Sequence, residues 1–197
     1  MATTTAAARK TRDKAARRAD IINHARALAE ADGWEAVTTR RLADAIEYSQ
    51  PVLYSHFPGG MAEIMNSVAL EGFSELASVA GSATNRHNTD RTRLRAVVDG
   101  YLDFAAAHPA VYAAMFTLPI RSRFAAEETD QELLAAFDQL AAILRDRANP
   151  PRDIDTSTEL LWSALHGLAT LDRDGRLRDT ARRARAELLV EIFLQAP

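Results

Sequence analysis

The chain of 197 residues contains no cysteine. That absence excludes disulfides and thiolate-held metals and suits a reducing compartment. Five histidines are present, but His24, His56, His87, His108 and His166 show no metal spacing such as H-E-x-x-H. No serine sits in a G-x-S-x-G elbow, and no glycine-rich phosphate loop occurs. The sequence therefore offers catalysis no starting point, and no enzyme activity, cofactor or metal is expected. No apolar run approaches the roughly 18 residues that a membrane span requires. The opening stretch, MATTTAAARKTRDKAARR, has positive charge but no apolar segment behind it, unlike a secretory signal. A cytoplasmic protein without a membrane partner is expected.

What is present is apolar, charged and helical. Hydrophobic residues make up 47% of the chain, enough for a sizeable core. The formal net charge of −3 conceals an asymmetry. The first eighteen residues carry six basic side chains, Arg9, Lys10, Arg12, Lys14, Arg17 and Arg18, against Asp13 alone. Residues 61–197 are mildly acidic. A basic end on an acidic body fits contact with a polyanion at that end; the plainer reading is a solvated tail.

Apolar residues recur at helical spacing throughout, and no stretch alternates as a strand would. The expected fold class is all-α with about nine helices. Residues 1–9 are expected to be a disordered tail, 10–60 a DNA-binding domain and 61–197 a helical effector-binding and dimerisation domain. Gly33 closes the first long helix. Two short helices then follow, Arg40 to Ile46 and Gln50 to His56, with Thr38 or Thr39 and Ser49 as N-caps. Pro51 sits in a first turn, where its missing N–H costs nothing.

The informative stretch is TTRRLADAIEYSQPVLYSHF, residues 38–57. Two short helices joined by a tight turn make a helix-turn-helix. A helix of seven residues is unstable alone in water, so packing must hold the second one. Leu53 and Phe57, four apart, are suited to pack on Leu42, Ala45 and Ile46. That leaves Gln50, Pro51, Tyr54 and Ser55 facing outward. Such a face is poor for burial and well suited to a major groove: glutamine reads a base edge, an apolar group touches a thymine methyl, and hydroxyls bond phosphates. The alternative is a helical protein–protein interaction module that uses the helix-turn-helix for packing only.

The run T-T-R-R-L-A-D-A-I, a three-residue turn, and Q-P-V-L-Y-S-H-F resembles the DNA-binding domain of the TetR family of tetracycline-repressor-like regulators. Upstream, A-E-A-D-G-W-E-A-V is similar to the end of that family's first helix. The resemblance implies a homodimeric, ligand-responsive repressor of a palindromic double-stranded DNA operator. By position it implies that Thr39 and Arg40 contact phosphates and flanking bases. Gln50, Pro51 and Val52 would enter the groove, Tyr54 and His56 would bind backbone phosphate, and Ser49 and Ser55 are further candidate DNA contacts. Family members usually carry a lysine at the start of the fourth helix, where this chain has Gly60 or Met61. The basic run from Arg9 to Arg18 is a candidate substitute for that contact.

In the second half, G-Y-L-D-F-A-A-A-H-P-A-V-Y-A-A-M-F resembles the family's fifth and sixth helices. L-L-W-S-A-L-H-G-L is similar to a subgroup with Trp, His and Gly in this spacing on the eighth helix. Tyr101, Phe104, Tyr112, Phe116, Phe137, Trp162 and His166 are candidate walls of an effector pocket, which implies a small hydrophobic or aromatic ligand. The plainer reading of these aromatics is ordinary core. Leu161, Ala164, Leu168 and Leu171 form one seam, and Ala181, Ala184, Leu188 and Ile192 another. Paired across a two-fold axis, these seams would make a four-helix bundle; otherwise they cover the monomer's own core.

Overall fold

A computed structural model describes residues 2–86, 89–116 and 130–195; for residues 2–6 and 84–86 only the backbone course is described. Nine α-helices occur among these residues, with no strand: α1 (Ala2–Asp32), α2 (Thr39–Ala45), α3 (Gln50–His56), α4 (Gly60–Arg86), α5 (Asp90–Ala107), α6 (Pro109–Phe116), α7 (Gln131–Arg145), α8 (Ile154–Arg173) and α9 (Arg182–Gln195). The all-α expectation holds. Helix α1 starts at Ala2 rather than near Lys10, because the alanines at 2, 6, 7 and 8 favour helix even before any core residue is met.

The chain forms two compact units. The first takes Met1–Gly72 and the segment that starts at Pro109; the second takes Phe73–His108 and the C-terminal helices. This differs from a division at residues 60 and 61. Helix α4 runs unbroken through the boundary, and α6 is tied to α1 within the first unit. The carboxylate of Glu30 accepts from the backbone N–H of Ala110 and of Val111, each at 3.0 Å. It thereby satisfies two of the open donors of the α6 N-terminus. Trp34 Nε1 donates to the Ala110 carbonyl at 2.8 Å. Gly72 of α4 lets α6 close in: a Cβ there would lie 2.6 Å from both Val111 Cγ1 and Met115 Sδ.

Within the first unit, Ile21, Ile22, Ala25 and Ala29 of α1 form the buried stripe that the spacing predicts. Leu42, Leu53, Phe57, Ile64 and Val68 are also buried. On α2 the inward alanine is Ala43; Ala45 is exposed. In the second unit α5 packs against α7, α8 and α9. Leu133, Leu140 and Leu144 of α7 are buried as their spacing predicts, and Phe137 is half-buried.

Candidate nucleic-acid interface

Helix α2 begins where Thr38 accepts the backbone N–H of Arg41 at its Oγ1, 3.2 Å away. Ser49 is the N-cap residue of α3, and Pro51 lies in the first turn. Between the helices the backbone turns through Glu47, at φ 56°. The turn is closed by Tyr48 N–H donating to the Ala43 carbonyl at 3.0 Å.

The geometry of α3 is decisive. Leu53 is 2% exposed and Phe57 fully buried, whereas Tyr54 is 48% exposed. Gln50, Pro51 and Ser55 are also exposed, and Val52 is half-buried. The short helix is thus held from behind by aliphatic and aromatic contacts, and its polar side faces outward. On α2, Arg40 is exposed and Thr39 half-buried. Neighbouring Arg41 is engaged instead by Asp32 at the end of α1.

Arg18 is the residue whose role the sequence did not reveal. Its Nη1 donates to the carbonyl of His56, the last residue of α3, at 2.7 Å. Both terminal nitrogens reach Glu63 Oε1 at 3.3 Å, and Nη2 reaches Ser67 Oγ at 3.2 Å. The guanidinium also lies 3.9 Å from the centroid of the Phe57 ring. The other carboxylate oxygen of Glu63 accepts from Gly59 N–H at 2.9 Å. One cation therefore joins α1, the end of α3 and the start of α4. An arginine counted in sequence as part of a basic tail is spent on fixing the recognition helix.

His56 is half-buried, and its Nδ1 is buried without a hydrogen-bond partner among the described residues. Burial first, then the charges of Lys14, Arg17 and Arg18, hold its pKa below the ordinary value of 6.5. Around it lies a basic cleft of about 500 Å³ lined by α1 and the end of α3.

In the second unit, Tyr101 and Phe104 are buried, and Phe137, Trp162 and His166 are half-buried. Burial, then Arg173, lowers the pKa of His166. Tyr112 and Phe116 belong to the first unit, with ring centroids 4.8 Å apart. The seam on α8 is out of phase with the expectation at one position. Leu161 is 0% exposed within its own subunit and has no surface to offer a partner, while adjacent Leu160 is 60% exposed. Ala164 and Leu168 are half-buried, and Leu171 is exposed. On α9, Ala181 is half-buried, whereas Ala184, Leu188 and Ile192 are exposed. Among the described residues, no group of three histidine, aspartate or glutamate side chains is placed to hold a metal ion, and no helix is long and apolar enough to cross a membrane.

A helix-turn-helix with an outward polar recognition helix, followed by a helical body, is the architecture of a DNA-binding transcriptional regulator. Residues 21–68 match the family of bacterial regulatory proteins of the tetR type, and residues 94–193 match the tetracyclin repressor-like C-terminal domain. The chain belongs to the TetR family. It is 25% identical over 169 residues to the uncharacterized HTH-type transcriptional regulator Rv0681 of Mycobacterium tuberculosis, covering 82% of this chain and 72% of that one. Its fold is similar to that of a protein of unknown function from Rhodococcus sp. RHA1 (TM-score 0.75, 23% identity, 89% of this chain and 92% of that one). It also resembles the transcriptional regulator FadR of Bacillus subtilis, solved with stearoyl-CoA (TM-score 0.67, 14% identity, 86% of this chain and 96% of that one).

Proposed function

We propose that the protein is a cytoplasmic, homodimeric repressor that grips a palindromic operator with α3 of each subunit and is released by a small hydrophobic effector, without catalysis of its own. The observation that carries this reading is the orientation of α3: Leu53 and Phe57 are buried while Gln50, Pro51, Tyr54 and Ser55 are exposed. A module using these helices for packing alone would bury that polar side or surround it with apolar surface. Gln50, Pro51 and Val52 would meet base edges, with Thr39, Arg40, Ser49, Tyr54, Ser55 and His56 on phosphates and flanking groups.

The dimer would close through α8 and α9. Leu160, Leu171, Leu188 and Ile192 are large apolar side chains left exposed on these two helices. A Cβ added at Gly167 meets nothing within 4 Å, so the space above that residue is open to a partner helix. To reach successive major grooves, two recognition helices must stand about 34–36 Å apart, one turn of DNA. An effector that binds a differently spaced state better would draw the population away from DNA. The apolar candidates Tyr101, Phe104, Phe137 and Trp162, with His166 as a polar anchor, favour a ligand of hydrophobic or aromatic character; Tyr112 and Phe116 are further candidates. The stearoyl-CoA bound by FadR is a ligand of partly that kind.

An electrophoretic shift on the DNA upstream of the chain's own gene tests the proposal. The wild type should retard that fragment, and Gln50→Ala with Tyr54→Ala should abolish or retarget the shift. Retardation unchanged in the double variant would refute this use of α3.

A further inference from the structure

We infer that the cleft between the basic ridge of α1 and the end of α3 is a second nucleic-acid contact, a site for phosphates of the DNA backbone next to the recognition helix. Arg9, Lys10, Lys14 and Arg17 line it from α1, and Ser55 and His56 from α3. The inference rests on the DNA-binding reading and extends it to residues outside the helix-turn-helix.

Three observations converge. At 100° per residue, positions 9, 10, 13, 14 and 17 fall on one side of α1, whereas Arg12 falls on the opposite side. Three of the four basic side chains on the cleft side have no ion-pair partner among the described residues. Asp13 is the one carboxylate in the lining, and its oxygen stands 4.0 Å from Arg9 Nε. Lys10, Lys14 and Arg17 make no ion pair among the described residues, and Arg18 is already committed to Glu63, Ser67 and the His56 carbonyl. Finally, Ser55 belongs both to the cleft and to the exposed face of α3, so the cleft continues the surface offered to the groove.

An anion is the missing partner for this arrangement. From Arg9 to Arg17 the ridge spans about 12 Å of helix. One DNA strand carries a charge every 3.4 Å or so of duplex axis, so the ridge is long enough to meet more than one phosphate. The pKa of His56 is lowered first by burial and then by the nearby charges of Lys14, Arg17 and Arg18, so these cations stand close to the ring that closes the cleft. Phosphate contacts of this kind add affinity and fix orientation without reading sequence.

Salt dependence of binding separates the possibilities. A fluorescent random-sequence duplex and the upstream fragment serve as probes, with anisotropy measured across salt. The triple variant Lys10→Gln, Lys14→Gln, Arg17→Gln alters only exposed side chains. It should flatten the slope of log K against log salt by about 0.9 for each phosphate no longer neutralised, on both probes. Arg12→Gln, outside the cleft, should leave the slope unchanged. Equal flattening per charge by Arg12→Gln would mean that net charge alone matters and would overturn the site. A slope untouched by the triple variant, with DNA still bound, would overturn the cleft while leaving the regulator reading intact. A wild type that binds neither duplex would overturn both. Heat protection by inorganic phosphate equal to that by duplex, at matched ionic strength, would mark a free-anion site and overturn the assignment to DNA.

Discussion

The two units use arginine for opposite purposes. In the second unit, five arginines fasten elements of the chain to one another. Arg91 reaches Glu187 and Glu191, Arg95 reaches Asp99 and Glu187, Arg182 reaches Asp103, and Arg185 reaches Asp172. Buried Arg147 donates to the carbonyls of Phe193 and Leu194 at the end of α9, at 2.7 and 2.8 Å. In the first unit, Arg18 and Arg41 are consumed internally, but Lys10, Lys14, Arg17 and Arg40 face solvent without an ion pair among the described residues. Five arginines of the second unit are therefore fasteners, whereas four cations of the first unit are left as an available surface. A count of basic residues in sequence cannot distinguish the two uses, because both place arginine on helices.

The comparison breaks most severely if the apolar face of the second unit is not an interface. Leu188→Glu with Ile192→Glu should convert the dimer to a monomer in sedimentation analysis, since the two exposed side chains would place charges in a desolvated seam. A monomeric wild type, or a double variant that still dimerises, would contradict the face.

Arg18 gives the next largest effect. Arg18→Gln should lower stability by about 1–2 kcal/mol, since a partly exposed, charge-assisted network is removed. Affinity for DNA should fall with the salt slope unchanged, because the residue positions α3 without touching phosphate. A flattened slope would place Arg18 among the DNA contacts instead. Smaller again is Glu47, whose φ of 56° lies in the left-handed region that favours glycine. Glu47→Gly should raise stability by about 1 kcal/mol in a denaturant titration, and destabilisation would show that the turn needs the Glu47 side chain.

The weakest effect concerns pH. His56 in the first unit and His166 in the second both have pKa values held below 6.5, mainly by burial. The unfolded chain then binds more protons than the folded one in the window below 6.5, so stability is full above that value and declines as the pH falls through it. Melting temperature should drop between about pH 7.5 and 5.5, and His166→Asn should reduce the drop. A profile flat over that range would contradict the burial of both rings.

Much of the first unit was legible in sequence because its pattern is locally determined. The four-residue spacing of Leu53 and Phe57 fixed which side of α3 faced inward, and threonine and proline marked the helix starts. Phase errors arose where apolar residues adjoin. Ala43 adjoins Leu42 on α2 and Leu160 adjoins Leu161 on α8, each pair only about 100° apart, so which apolar neighbour is buried depends on residues distant in sequence. The allegiance of α6 to the first unit rests on Glu30 and Trp34, about eighty residues upstream of the backbone groups they hold. No periodicity carries that information. Arg18 was hidden for a similar reason: its partners lie 38 to 49 residues away.

The absence of cysteine makes a direct measurement possible. A Ser55→Cys variant carries a single thiol on the outward side of α3, and Ser82→Cys places one on an exposed position of α4 in the second unit. With the upstream DNA fragment added, thiol labelling of the Ser55→Cys variant should slow markedly, while that of Ser82→Cys stays constant. Equal labelling rates for Ser55→Cys with and without bound DNA would contradict the claim that this side of α3 enters the groove.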